Sequence, residues 1–115
     1  MDHWINSIDR FNDTPGDGTT RHYMTATECA CRAYIKDEME KLGLRVEVDC
    51  MGNVLGTLPG TEPALAPVWT GSHFDTVLHG GRFDGVAGVV TGMEALRLIA
   101  SSGASHRRDV TVVAY

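Results

Sequence analysis

The chain has 115 residues, of which 43% are hydrophobic and 22% are charged, and its formal net charge is −5. These values indicate one globular domain with a modest core, and they exclude a disordered, collagen-like or fibrous protein. The ten basic residues are scattered, which argues against a nucleic-acid partner because phosphate contacts need clustered Lys and Arg. No apolar run is long enough to span a bilayer, so we expect no membrane partner.

Two amphipathic helices are predicted in the first part of the chain. The first covers residues 2–12, where apolar residues recur at helical spacing. A turn-rich loop follows, and the clearest helix then begins near Thr25, whose spacing to Glu28 is that of a capping box, with Thr27 as the rival N-cap. Gly43 is a natural stop for this helix. Its apolar stripe consists of Cys31, Tyr34, Ile35, Met39 and Leu42.

Strands dominate the next part of the chain. Residues 44–50 alternate between apolar and charged side chains, which predicts a strand with one wet face, and a tight turn leads to a partner strand in a β-hairpin. Residues 68–72 are predicted to form a short buried strand. A helix over residues 85–102 follows, in which Gly88 and Gly92 would allow close packing on a sheet. A buried strand over residues 109–114 then completes a βαβ unit, which favours parallel pairing. The fold class is therefore α/β with a mixed sheet.

The cysteines indicate a reducing environment. Cys29, Cys31 and Cys50 are odd in number and show no CxxC spacing, which is not the pattern of a disulfide framework or a zinc ribbon. The N-terminal segment has neither the basic start nor the apolar core of a signal peptide. We therefore expect three free thiols in a cytoplasmic protein.

The chemistry concentrates in residues 71–85. His73 lies at the carboxyl end of a predicted strand, where active sites of open α/β sheets cluster. Asp75 follows two residues later and faces the same side, so its carboxylate could fix the tautomer of a metal-ligating His or serve as a general base. Asp84 comes after a loop that Gly80 and Gly81 allow to fold back. A His and an Asp brought together suit Zn²⁺, Mn²⁺, Co²⁺ or Ni²⁺, and a carboxylate can bridge two metals.

Each of these residues also has an ordinary structural interpretation. Asp84 could be the N-cap of the following helix, His73 a half-buried hydrogen-bonded residue, and Asp75 the cap of a turn. His79, in the middle of the loop, is a solvated residue in that interpretation and otherwise a weaker candidate for a substrate contact or a part in catalysis. Pattern alone leaves these alternatives open.

The segment "GSHFDTVLHGGRFDGVAGVVTGMEALRLI" closely resembles the metal-ligand segment of the N-carbamoyl-L-amino acid hydrolase and allantoate amidohydrolase family. The upstream segment "GTTRHYMTATECACRAYIKDEMEKLGLRVEVDCMGNVLGTLPG" resembles the family's approach to that site, so the resemblance covers nearly the whole chain. It implies a phosphorylase/hydrolase-like zinc-exopeptidase fold. Residues 1–115 would be the N-terminal portion of a catalytic metallohydrolase domain, without the family's lid or dimerisation domain.

The resemblance also implies roles for individual residues. His73 would ligate one of two divalent metal ions, Asp84 would bridge both, and Asp75 would orient the His73 imidazole. The substrate would be an N-carbamoyl-L-amino acid or a ureido compound such as allantoate or ureidopropionate, and the intact enzyme would be a homodimer. The family also leads us to expect a cis peptide bond at Asp84–Gly85.

The family's Glu-Glu motif, which carries the general base, follows a strand like "VTVVAY", so we expect it beyond Tyr115. The 115-residue chain alone should then bind metal weakly, be inactive, and self-associate through its last strand or the stripe of the 85–102 helix. Two alternatives remain at this point. One is a dipeptidase or aminoacylase of the wider superfamily, and the other is a non-catalytic, truncated paralogue.

Overall fold

The computed structural model describes residues 1–115 as three helices and a four-stranded mixed sheet. In chain order the elements are α1 (Asp2–Ile8), α2 (Ala26–Lys41), β1 (Arg45–Val48), β2 (Val54–Leu58), β3 (Val68–Ser72), α3 (Val86–Ser102) and β4 (Val110–Ala114). Every predicted element is present, and the predicted α/β class is confirmed. α1 ends at Ile8, earlier than predicted, while Phe11 still packs against the core from the segment that follows.

The strand order is β1-β2-β4-β3. β1 and β2 form the predicted antiparallel hairpin, β2 pairs antiparallel with β4, and β3 pairs parallel with β4. The parallel neighbours β3 and β4 are joined through α3, so the predicted βαβ unit is confirmed. This arrangement places the carboxyl end of β3 beside the amino end of α3, where the candidate site lies.

The helices cover one face of the sheet. Gly56 and Val112 are register partners and therefore point to the same face. A Cβ on Gly56 would lie 2.8 Å from Met39 Sδ of α2, and a Cβ on Gly92 of α3 would lie 2.6 Å from Val112 Cγ2. Both helices thus pack on the same face, and the absence of a side chain at Gly92 allows the predicted close approach of α3. The core is one cluster of 16 buried residues.

The prediction that residues 68–72 form a buried strand is wrong. β3 is an edge strand, and Val68 and Trp69 are 51% and 55% exposed. The two surfaces expected to drive self-association are also not available. β4 lies inside the sheet between β2 and β3, and the apolar stripe of α3, from Val86 to Leu96, is buried against the core. The open strand edges belong to β1 and β3 instead.

Local signals define the ends of α2 and α3. The Thr25 hydroxyl accepts from the Glu28 amide at 3.2 Å, so Thr25 rather than Thr27 is the N-cap of α2. The Glu28 carboxylate accepts from the Met24 amide at 3.2 Å, one residue before the position that a standard capping box uses. Gly103 ends α3 in the left-handed conformation. None of the three helices is both long and apolar enough to cross a bilayer.

Candidate metal centre

The chain remains extended beyond the end of β3, and this extension sets the direction of the candidate ligands. Tyr115 donates its amide to the Ser72 carbonyl at 3.0 Å, and Phe74 donates to the Tyr115 carbonyl at 3.2 Å. Phe74 is buried in the core at 2% exposure. Because side chains alternate along an extended chain, His73 and Asp75 both point away from the core, as the two-residue spacing predicts.

The His73 imidazole is bound on one nitrogen only. Its Nδ1 lies 3.0 Å from the backbone carbonyl of Asp75 and 3.2 Å from Asp75 Oδ1. Both partners are acceptors, so the arrangement favours a proton on Nδ1 and leaves the Nε2 lone pair free to bind a metal. The two side chains are 45% and 43% exposed, which leaves this nitrogen accessible from solvent. Asp75 caps no turn and contacts the imidazole, as expected for an orienting carboxylate.

The Asp84 carboxylate lies near the free nitrogen of His73. Its Oδ1 lies 3.6 Å from His73 Nε2, too far for a hydrogen bond but within the range of two ligands of one ion. The interpretation of Asp84 as a helix cap is wrong, because Gly85 occupies the N-cap position and α3 has no side-chain cap bond. The Asp84 carboxylate is 55% exposed and has no other partner. The sequence thus predicted correctly that the loop brings this pair together.

A tight turn at Gly85 sets the position of Asp84 relative to His73. Val86 donates its amide to the Asp84 carbonyl at 2.7 Å, and Gly85 has φ +66° and ψ −49°. This is a γ-turn of the rare form with positive φ, which a residue with a side chain adopts only under strain. The predicted cis bond at Asp84–Gly85 is wrong, since the chain contains no cis peptide. The sharp change of direction comes from the γ-turn instead.

The pair fits one metal ion and does not by itself form a complete site. A metal with bonds of about 2.0–2.2 Å to N and O separates two tetrahedral ligand atoms by about 3.4 Å. The His73–Asp84 distance is close to that value, and an imidazole with a carboxylate is a donor set for Zn²⁺ or Mn²⁺. No group of three or more His, Cys, Asp or Glu residues in the chain is arranged to hold a metal ion. The residues present could therefore supply two donors to a metal ion, and further ligands would have to come from elsewhere.

His79 does not join this pair. Its Nδ1 lies 2.8 Å from the Asp17 carbonyl and 3.3 Å from Asp17 Oδ2, and its amide donates to the Thr20 hydroxyl. These contacts fix the loop to the turn-rich segment before α2, and they explain why His79 is held at φ +54°. A role of His79 in substrate binding or catalysis stays a prediction.

Arg21 is a residue to which the sequence assigned no role, although it follows the Gly-Thr turn of the upstream segment that resembles the family. It is completely buried, and its guanidinium contacts the backbone of the strand extension that carries His73 and Asp75. An Arg in a polar loop is ordinarily exposed. The only signal in the sequence was its place after a Gly-Thr turn, and nothing local indicates that the side chain turns inward.

The sheet places His73 and Asp84 at the carboxyl end of a parallel strand, which is where ligands bind in open α/β sheets. Residues 53–115, more than half of the chain, match the model of peptidase family M28. The chain therefore belongs to peptidase family M28.

The curated relatives confirm the resemblance to the carbamoyl and ureido amidohydrolases. The chain is 35% identical over 111 residues to a ureidoglycolate hydrolase of Arabidopsis thaliana, and 38% identical over 110 residues to an N-carbamoyl-L-amino-acid amidohydrolase of Paenarthrobacter aurescens. It is 32% identical over 110 residues to an allantoate amidohydrolase of Bacillus subtilis (strain 168). Each alignment covers 96% of this chain and 23%, 26% and 27% of the respective relative, so the chain spans about a quarter of their length.

Solved structures have the same fold. The chain superposes on the crystal structure of AtUAH in complex with glyoxylate with a TM-score of 0.95 and 34% sequence identity, over 99% of this chain and 27% of that one. The predicted fold is thus confirmed over nearly its whole length.

Proposed function

We propose that this chain is part of a metal-dependent amidohydrolase that hydrolyses a C–N bond of N-carbamoyl-L-amino acids or of related ureido compounds such as allantoate or ureidopropionate. The observation that carries this proposal is the arrangement of His73, whose Nδ1 contacts Asp75 while its Nε2 lies 3.6 Å from Asp84 Oδ1. The names of the curated relatives support the substrate class. In this proposal residues 1–115 are the N-terminal portion of a catalytic domain.

Each of the three residues has a separate task. His73 and Asp84 would hold a divalent ion between them, and Asp84 has a second oxygen that could reach a second ion. Asp75 keeps the proton of His73 on Nδ1 and thereby keeps Nε2 available. A divalent metal bound there would polarise the substrate carbonyl and make a water molecule more acidic. The side chains of His73 and Asp84 are 45% and 55% exposed, so the pair lies at the surface and solvent reaches it.

The test is activity of the full-length protein against N-carbamoyl-L-amino acids, allantoate, ureidoglycolate, ureidopropionate and dipeptides, after chelation and after addition of Zn²⁺, Mn²⁺, Co²⁺ or Ni²⁺. We expect turnover of one carbamoyl or ureido substrate, its loss on chelation, and its return with metal. His73→Ala and Asp84→Asn should abolish it. The matched control is His3→Ala, an exposed imidazole on α1 that should leave turnover unchanged.

The same panel tests the alternatives. Membership of a peptidase family favours dipeptide hydrolysis as the second candidate, and metal-dependent turnover of dipeptides alone would establish it. Absence of turnover of every substrate, with each metal present, would support a non-catalytic protein and sink the proposal. Equal activity of wild type and His73→Ala would show that the active site lies elsewhere in the protein.

We further propose that residues 1–115 alone bind metal weakly and do not turn over substrate, because they bring only two donor residues together. Turnover by this stretch in isolation would contradict that statement. The three free thiols support a cytoplasmic location. Homodimerisation is also part of the proposal, and sedimentation of the full-length protein tests it.

A further inference from the structure

Arg21 is a buried cation without a carboxylate partner. Its exposure is 0%, and no Asp or Glu forms an ion pair with it. Removing a charge from water is costly unless other groups replace the lost hydration. Here backbone carbonyl groups supply part of that replacement through Nε and Nη1, while Nη2 is buried without a hydrogen-bond partner, so the cost of the buried charge is only partly offset.

The carbonyl groups that Arg21 binds join two segments of the chain. Its Nε donates to the Phe74 carbonyl at 2.7 Å, while its Nη1 donates to the carbonyls of Ile8 and Phe11 at 3.2 Å and 2.8 Å. The Phe74 peptide lies between His73 and Asp75. One planar guanidinium thus connects the end of α1 to the unit that presents the imidazole and its orienting carboxylate.

The backbone of Arg21 strengthens the same connection. Its amide donates to the Thr76 hydroxyl at 2.7 Å, and its carbonyl accepts from the Thr76 amide at 2.9 Å. The Thr76 hydroxyl in turn donates to the Thr19 carbonyl at 3.0 Å. The chain from residue 74 to residue 76 is therefore held at two points, one before and one after Asp75, by a single residue from another part of the sequence.

We propose that Arg21 is a positioning residue for the metal centre, which fixes the 73–75 backbone so that His73 Nε2 faces Asp84. This inference rests on the proposed function of that pair. Metal affinity depends on how closely ligands are held to their bound geometry, and groups that orient ligands contribute to it substantially. Arg21 touches neither ligand side chain, so it acts through the backbone alone.

Arg suits this position better than Lys does. A guanidinium offers five N–H donors in a rigid plane, which allows three carbonyls in different directions to be bound at once. A Lys ammonium in the same space would keep the charge but lack the fixed fork. Arg21→Lys should therefore fold and still position the 73–75 segment less accurately.

The experiment compares Arg21→Lys and Arg21→Met with a control that weakens the fold elsewhere. Met39→Ala is suitable, because Met39 is fully buried on α2 and packs under β2, away from the 73–75 segment. For each variant of the full-length protein we would measure the unfolding midpoint, the Zn²⁺ dissociation constant by chelator competition, and the visible absorption spectrum with Co²⁺ bound. His73→Ala defines the signal from the site.

We expect Arg21→Lys to weaken Zn²⁺ binding by about tenfold and to change the Co²⁺ spectrum. Met39→Ala should lower the unfolding midpoint but leave affinity and spectrum unchanged. If Arg21→Met does not fold, the Zn²⁺ affinity and Co²⁺ spectrum of Arg21→Lys are the test of the inference. If Arg21→Lys keeps the wild-type Zn²⁺ affinity and Co²⁺ spectrum, the inference about Arg21 is overturned, while the proposed metal centre is not. Equal Zn²⁺ binding by wild type and His73→Ala would overturn the proposed metal centre, and the inference with it.

Discussion

Gly85 lies directly against the ring of His73. A Cβ added to Gly85 would lie 2.5 Å from both Cε1 and Nδ1 of that imidazole, closer than real Cβ atoms approach other atoms. The residue that turns the chain toward Asp84 is therefore also the residue that makes space for the other member of the pair. Backbone conformation and ligand position are coupled at one residue.

Substitution of Gly85 should consequently affect the metal site as well as stability. Gly85→Ala would strain a γ-turn and clash with both the backbone carbonyl and the ring of His73, which should displace that ring from its position beside Asp84. Gly103→Ala is the matched control, because Gly103 has the same φ of +66° but no atom within 4 Å of an added Cβ. It should cost only the strain of the left-handed conformation, about 1–2 kcal/mol. We expect a greater loss of unfolding free energy for Gly85→Ala, measured in urea.

Metal affinity separates these two variants further. Gly85→Ala should weaken Zn²⁺ binding at least tenfold, by analogy with the loss of groups that orient ligands. Gly103→Ala should leave binding at the wild-type value, since Gly103 terminates α3 at the end opposite to the site. Equal affinities of the two variants, measured by chelator competition in the full-length protein, would show that the Gly85–His73 contact does not matter for the site.

The sequence predicted the features that depend on local spacing. His73 and Asp75 share a side because side chains alternate along an extended chain, and the adjacent glycines of the loop indicated the return to Asp84. What it missed depends on distant neighbours. Trp69 belongs to an apolar strand whether that strand lies at the centre or the edge of a sheet, so its exposure could not be seen. The buried position of Arg21 likewise depends on carbonyls far from it in the sequence.

Asp75 should affect metal binding without affecting the fold. Asp75→Asn removes the charge that favours His73 with a proton on Nδ1, but the Asp75 backbone carbonyl still accepts from that nitrogen at 3.0 Å. Because one acceptor remains, we expect about a tenfold loss of Zn²⁺ affinity. This is the lower end of the loss that follows removal of a group that orients a metal ligand. The unfolding midpoint should change little, because the Asp75 side chain is 43% exposed.

The chain contains a second His–Asp pair that serves as the control. His79 Nδ1 contacts the backbone carbonyl and the carboxylate of Asp17 in the same way, at 2.8 Å and 3.3 Å. Asp17→Asn should leave Zn²⁺ affinity unchanged, because the Asp17–His79 pair has no contact with Asp84. An equal loss of affinity in Asp17→Asn and Asp75→Asn would mean that net charge near the loop, and not orientation of His73, governs binding.

The two rival N-caps of α2 allow a separate test of the fold. Thr25→Ala removes the acceptor of the Glu28 amide and should cost about 1 kcal/mol of unfolding free energy. Thr27→Ala removes only an exposed hydrogen bond from Thr27 to Asp13 and should cost less. Urea unfolding of both variants measures the difference. A larger loss in Thr27→Ala would contradict the observed cap.

Cys31 should be the one unreactive thiol of the folded protein. Cys29 and Cys50 are exposed, whereas Cys31 is 0% exposed in the core. Burial raises the pKa of the Cys31 thiol from 9.0 to about 12, although the nearby Arg21 lowers it in part. Because the thiolate is the reactive form, a disulfide reagent at about pH 8 should modify two thiols quickly and the third only after unfolding.

The same shift has a consequence for stability. The pKa of Cys31 is higher in the folded protein than in the unfolded chain, so the unfolded chain loses this proton first as pH rises. The contribution of Cys31 to the unfolding free energy is therefore complete below the unfolded-state pKa. It decreases as pH rises from the unfolded-state pKa toward the folded-state pKa. Unfolding free energies measured at pH values below and above 9.0 should therefore fall more steeply for wild type than for Cys31→Ala. Parallel pH profiles for the two proteins, or rapid modification of three thiols in the native state, would show that Cys31 is not held as a neutral, buried group.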